Sequence, residues 1–342
     1  MDMELNINST KYRSCYFDNL KFLLITLVVI GHAIEPLIGL YPNIKLAYNL
    51  IYSFHMPLFV FISGYFSKNI SNDKKNFSKI AGILAAYIIF QLLYSLFNIY
   101  ILKAENFKIT FVYPYWTMWY LLSIFIWNLI LPYFSKVRYS IIIAVAISIL
   151  CGYDNNIGYY LSLSRTIIFF PYFLMGYFCH KYHINTMRKH IEKKYAVLGL
   201  LTVFLIIYLL NGKIDYRWFY GSFTYSQLDG LNYPKFLLRM FTYILAISIS
   251  TFVLTLIPDK KLFFTKLGSR TMAVYVFHGF IIKILVKYNF FDYVNSIISE
   301  ISIILLSLLI VILLSSKFIN KFTKVIIHPG FFKQINLNKS TN

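Results

Sequence analysis

Charge is what this sequence has least of. Charged residues occupy 13% of its 342 positions, and Asp and Glu together number only 13. Ordinary globular chains carry about 25% charged residues. A chain so poor in charge cannot cover a water-facing surface, which excludes a soluble domain. Hydrophobic residues make up 58% and mean hydropathy is +0.63, so intrinsic disorder is excluded as well. The three cysteines, Cys15, Cys151 and Cys179, form neither a CxxC pair nor an even framework, which argues against a disulfide scaffold or a structural zinc site. Gly-x-Gly-x-x-Gly, a Walker-type loop and His-Glu-x-x-His are all missing. Nucleotide hydrolysis and zinc proteolysis therefore lack support. His180, His183 and His190 form a loose group in a basic stretch whose acidic neighbour is Glu192, and no metal is expected there.

Long apolar runs are what the sequence has instead. A spanning helix needs about 20 mostly apolar residues. Ten such runs occur, at roughly 20–40, 48–66, 80–102, 116–134, 139–153, 164–180, 195–211, 236–257, 271–287 and 301–319. The fifth is the weakest, because it stops at Cys151-Gly152. The expected fold is all-α: a polytopic membrane protein of about ten transmembrane helices. A leader over 1–19 precedes the bundle of 20–319, and a basic tail over 320–342 follows it.

The net charge of +20 would suggest nucleic acid in a soluble protein. Here its distribution sets orientation. Segments 1–20, 67–79, 135–138, 181–194, 258–270 and 317–342 hold 22 of the Lys and Arg residues, against 9 on the intervening connections. Basic connections stay in the cytoplasm. Both termini are expected on that side of the cell membrane, with no nucleic-acid partner. The longest connection on the opposite side, 212–235, mixes aromatic, amide and acidic residues. Aromatic faces pack on sugar rings, and Asp, Asn and Gln bond hydroxyls. An interfacial aromatic belt has the same composition.

Ionisable residues inside spanning helices are costly and are functional suspects. The first run holds Asp18, Lys21, His32 and Glu35. Eleven residues at about 100° each return Lys21 and His32 to nearly the same face, and Asp18 and Glu35 flank the pair by three residues. All four share one stripe, with Lys21 and His32 about 16 Å apart along the axis. Taken singly, Lys21 could snorkel and His32 could make a structural hydrogen bond. Together on one face they point to a cavity. An imidazole takes a proton near neutral pH, so His32 is the candidate base and Glu35, one turn away, its orienting partner. Lys21 would hold an anionic group at the cytoplasmic mouth.

The second run contributes His55, Pro57 and Ser63-Gly64, where a small pair also permits close helix packing. Trp119 lies at the outer edge. Arg165, also at the outer rim, either holds an anion or stays hydrated. His278 is a third intramembrane histidine. His55, Ser63, Trp119, Arg165 and His278 are the candidate contacts to substrate or to a developing oxyanion.

Several of these residues fall in short motifs that occur in a fixed order. Asp18-Asn19-Leu20-Lys21, Val28-Val29-Ile30-Gly31-His32-Ala33, Phe54-His55-Met56-Pro57-Leu58-Phe59 and Ser63-Gly64-Tyr65-Phe66 come first. Trp116-Thr117-Met118-Trp119-Tyr120-Leu121, Ser162-Leu163-Ser164-Arg165, Phe170-Pro171-Tyr172-Phe173 and Val274-Tyr275-Val276-Phe277-His278-Gly279 follow. Together, over most of 13–290, they resemble the acyltransferase-3 family of membrane proteins, in its fucose 4-O-acetylase-like branch. The resemblance implies a ten-helix bundle that takes acetyl-CoA or another acyl-CoA from the cytoplasm as co-substrate, with no resident cofactor. It implies transfer to a hydroxyl of a cell-surface or lipid-linked glycan, alongside polysaccharide-biosynthesis proteins. The family's first helix commonly carries Arg, ten residues, then His. His32 matches that histidine, while Lys21 fills the arginine position with a point charge in place of a bidentate fork.

The function expected is thus a membrane O-acyltransferase, with acetyl as the expected group. Direct transfer and an acyl-histidine relay both fit. The rival is a transporter or flippase of a lipid-linked glycan, which ten helices and buried charge would also suit. Inverted repeats and paired interrupted helices mark many transporters, and the sequence shows neither.

Overall fold

A computed structural model describes residues 14–70, 74–229 and 231–327. The first 13 residues of the expected leader and the tail beyond Ile327 lie outside them. Among the described residues the chain forms helices and loops with no β-strand. Apolar runs become helices because hydrocarbon offers no hydrogen-bond partner, so each backbone must satisfy its own groups.

The helices are α1 (Cys15–Ile34), α2 (Pro42–Phe66), α3 (Lys74–Leu96), α4 (Trp119–Phe134), α5 (Ser140–Cys151), α6 (Leu163–Phe178) and α7 (Lys181–His190). They continue with α8 (Lys193–Leu209), α9 (Lys235–Leu256), α10 (Thr265–Gly268), α11 (Thr271–Lys287), α12 (Ile297–Leu314) and α13 (Lys317–Ile327). Each apolar run has its helix: α1–α6, α8, α9, α11 and α12. Seven spans are long and apolar enough to cross a membrane: Cys15–Leu37, Pro42–Phe66, Ser78–Leu102, Trp116–Phe134, Tyr160–Phe178, Lys235–Leu256 and Ile297–Leu314. Helices α5, α8 and α11 are shorter, at 12, 17 and 17 residues. Outward faces are largely apolar; Ile142, Leu201, Leu205, Leu305 and Leu309 are all exposed. Such a surface suits lipid and would aggregate in water.

Some boundaries differ from the expected ones for physical reasons. Helix α1 starts at Cys15, inside the expected leader, because Tyr16 and Phe17 are buried and the Tyr16 hydroxyl donates to the Leu254 carbonyl at 2.7 Å. The same helix stops at Ile34, short of residue 40, and tightens into a 3-10 turn over Glu35–Leu37. Pro36 lacks the N–H that would continue the ladder. Part of the expected tail is helical, as α13.

Loop contacts gather at two ends of the bundle. At one end the Arg188 guanidinium pairs with Asp259, Lys68 donates to the Cys179 carbonyl, and Arg270 donates to the Ser315 carbonyl. At the other, Tyr41 reaches the Val294 carbonyl, Asn49 bonds Asn211, and the Tyr225 amide donates to the Gly152 carbonyl. The first end carries the basic segments, and the second carries the aromatic loop 212–235.

Helices α2 and α6 pack against each other most extensively. A Cβ on Gly64 would strike the Phe173 carbonyl oxygen, and one on Gly176 would strike the Phe61 carbonyl oxygen. Gly64 thus has the packing role that the small pair suggested. This crossing fixes His55 on α2 relative to Arg165 on α6.

Candidate active site

Two ion pairs mark the ends of the α1 stripe. Asp18 and Lys21 meet at 2.8 Å, and the His32 Nδ1 lies 3.2 Å from the Glu35 Oε2. Both pairs are three residues apart, the spacing that puts side chains on one helical face. Lys21 also lies 5.4 Å from the centre of the Phe66 ring.

Around His32 opens a cavity of about 190 Å³. Glu35 borders it because the turn at Pro36 carries that carboxylate over the last turn of α1. Tyr52 of α2 borders it too, and its hydroxyl lies 3.3 Å from the same His32 Nδ1. Gly31 makes room for this contact, since a Cβ there would sit 2.9 Å from the Tyr52 ring. The His32 ring packs edge-on against Trp116 at 4.4 Å between centres. On another side it stacks on His278 at 5.5 Å and 27°.

The opposite wall comes from α6 and the loops. The Arg165 Nε donates to the Tyr220 carbonyl at 3.2 Å and its Nη2 to the Ser222 hydroxyl at 3.3 Å. The guanidinium lies over the Trp119 and Tyr159 rings at 5.2 and 5.4 Å. The Tyr220 hydroxyl bonds that of Tyr48, whose ring stacks on Tyr52 at 3.9 Å. Burial pushes the Tyr220 phenol well above its usual pKa, so it stays a neutral hydroxyl at any working pH. Three non-glycine residues near this wall have left-handed backbones: Trp116 at φ 39°, Leu161 at φ 48° and Ser162 at φ 53°. Backbone held in a sparsely populated region gathers at functional sites.

The structure brings most of the expected site residues together. His32, Glu35, His55, Trp119 and Arg165 line the one cavity, and His278 touches it through the His32 ring. The His55 Nδ1 bonds the Ile51 carbonyl at 2.7 Å. His278 is fully buried; its Nδ1 bonds the Val274 carbonyl at 2.9 Å, and its Nε2 has no partner among the described residues. Ser63 stands apart: its Oγ donates to the Phe59 carbonyl at 3.0 Å and pairs with the Tyr120 hydroxyl at 2.5 Å. Tyr120 and Thr117 line a smaller pocket that also touches His32. Lys21 lies at the basic end, about 16 Å along α1 from His32.

Tyr52, Tyr220 and Lys283 were not among the expected site residues. The Lys283 Nζ lies 4.4 Å from the centre of the Trp116 ring. Its sequence signal was an ionisable residue inside an apolar run. Tyr52 lay one turn before His55, but an aromatic in an apolar run carries no distinguishing signal.

A partly buried histidine–carboxylate pair thus lies beside an aromatic, arginine-bearing cavity in a helical membrane bundle. The chain belongs to the acyltransferase-3 family: the family model described as an acyltransferase domain matches residues 16–316. Among curated proteins it is similar to the nodulation protein NolL of Mesorhizobium japonicum, at 32% identity over 160 residues. That alignment covers 41% of this chain and 42% of NolL, so the chain spans less than half of that relative's length. No solved structure matches.

Proposed function

We propose that the protein is an O-acyltransferase of the cell membrane that moves an acyl group, acetyl in the simplest case, from acyl-CoA to a glycan hydroxyl. The observation that carries this reading is the His32–Glu35 pair at 3.2 Å, at the floor of the cavity walled by Trp116, Trp119 and Arg165. Glu35 accepts from the His32 Nδ1–H, which fixes the tautomer with its lone pair on Nε2. The Nε2 then takes the proton of the acceptor hydroxyl as its oxygen attacks the thioester carbonyl carbon. The carbon–sulfur bond breaks, and the proton passes to the departing CoA thiolate. His55 and His278 contact the substrate or the developing oxyanion, and Trp119 and Arg165 hold the acceptor. The donor enters at the basic end, where Lys21 binds an anionic part of it and Ser63 borders its path. The mixed aromatic character of the opposite end, together with the resemblance to the fucose 4-O-acetylase-like branch, supports a surface or lipid-linked glycan as acceptor.

Mass spectrometry of surface glycans tests the reading. A deletion strain should lose an acyl mass increment, regain it with the wild-type gene, and fail to regain it with His32→Gln. Loss of the whole glycan in the deletion strain would instead favour a transporter and overturn the enzyme.

A further inference from the structure

The guanidinium that lines the cavity is paired with no carboxylate among the described residues. Arg165 faces the cavity, and its protein partners are neutral: a carbonyl, a hydroxyl and two aromatic faces. Its Nη1 makes no hydrogen bond among the described residues. None of the ion pairs there includes Arg165. Outside the lining, the Lys283 Nζ lies 4.4 Å from the centre of the Trp116 ring, the ring that packs against His32, and is likewise in no ion pair among the described residues. Glu35 is the one acidic residue that lines the cavity, and it is engaged by His32. Arg165 thus faces, in a partly desolvated site, a cavity whose lining carboxylate is already engaged. A guanidinium withdrawn from water without a counter-charge is unfavourable and is stabilised by any oxyanion that completes it.

Resting on the acyltransferase reading, we infer that the acceptor carries an oxyanion, a carboxylate or a phosphate, which the open edge of Arg165 grips while a neighbouring hydroxyl faces His32. A guanidinium suits this because its planar fork matches both oxyanions, as an ammonium does not. Trp119, Tyr159 and Tyr220 surround the same spot with the aromatic faces on which a sugar ring packs. The oxyanion belongs either to the sugar, as a uronate, or to the phosphate that joins a glycan to its lipid.

Binding to purified protein in phosphatidylcholine nanodiscs separates these cases, with no donor present. Tryptophan fluorescence reports it, because Trp116 and Trp119 line the cavity. The paired probes are methyl β-D-glucuronide against methyl β-D-glucoside, and farnesyl phosphate against farnesol. At least one anionic probe should bind about tenfold or more tighter than its neutral counterpart, the scale of a charge-assisted hydrogen bond. A preference in the first pair assigns the charge to the sugar, and one in the second assigns it to the lipid phosphate. The preference should fall to near unity in Arg165→Gln and survive in part in Arg165→Lys. Ratios near unity for both pairs in the wild type would overturn the inference, as would an unchanged ratio in Arg165→Gln. Should Arg165→Gln not fold, the wild-type ratios alone decide. Because no turnover is read, failure here leaves glycan acylation standing. Loss of the acylation reading in the glycan assay likewise leaves a measured anion preference intact.

Discussion

One ring nitrogen of His32 is engaged by Glu35 and Tyr52, which on the proposed reading leaves the other for proton transfer. Positioned acid–base catalysis is worth about 10²- to 10⁴-fold. His32→Ala should therefore cost at least about two orders of magnitude in transfer while the protein still purifies as a folded bundle. Glutamine can hydrogen-bond like an imidazole but cannot take the proton, so His32→Gln should be nearly as inactive. Activity of His32→Gln within about threefold of wild type would exclude this base, given the factors expected. Glu35→Gln keeps a bond to Nδ1 but no charge. It should lower kcat by a smaller factor, bounded by the roughly 10⁴-fold lost when an orienting carboxylate becomes an amide in a Ser–His–Asp triad. On the proposed reading Lys21 belongs to binding and not to the chemical step. Lys21→Arg should keep much of the activity, and Lys21→Gln should raise the donor KM more than it lowers kcat, because uniform binding is removed. An unchanged KM with a collapsed kcat would move Lys21 into the chemistry. The meeting of His32 and Glu35 was legible in the sequence because a three-residue spacing, carried from the last turn of α1 into the turn that follows, brings two side chains to one face. Tyr52 and Tyr220 were not, since their approach to His32 depends on how separate helices and a loop pack.

At the scale of the element, the apolar runs were readable because hydrocarbon leaves the backbone no alternative to the helix. The ends were less so. The burial of Tyr16 against α9 and the 3-10 turn at Pro36 are tertiary and local-geometry effects that hydropathy does not register. The α2–α6 crossing carries a direct test. Gly64→Val and Gly176→Val each drive a side chain into a backbone carbonyl that cannot rotate away. Overpacking typically costs about 1–3 kcal/mol, and backbone obstacles lie at the upper end. Both variants should melt at lower temperature and yield less monodisperse protein on size exclusion. Gly82→Ala is the control: nothing lies within 4 Å of its added Cβ, and alanine favours the helix by about 1 kcal/mol. If the valine variants melt like the control, the close crossing is not what holds these helices together.

The whole molecule raises the question of which end faces the cytoplasm. The basic segments and the aromatic loops gather at opposite ends, as alternating crossings require. On the proposed orientation the basic end is cytoplasmic, so the His32 cavity opens outward while the donor enters beside Lys21. Single cysteines in a background lacking Cys15, Cys151 and Cys179 test this at exposed sites. Asn43→Cys, Gln227→Cys and Asn295→Cys should react with an impermeant thiol reagent on intact cells. Lys189→Cys and Lys260→Cys should react only after permeabilisation. Asn43 follows the first expected crossing and Asn295 the ninth, so the two share a side only if an even number of crossings separates them. The short helices α5, α8 and α11 all lie between these positions, which makes the pair a direct test of whether they traverse. Labelling of Asn43→Cys but not Asn295→Cys would mean that an odd number of them fail to cross. Labelling of Lys189→Cys and Lys260→Cys alone would invert the orientation and place the cavity of His32 and Arg165 on the cytoplasmic side, where it could not meet an external glycan.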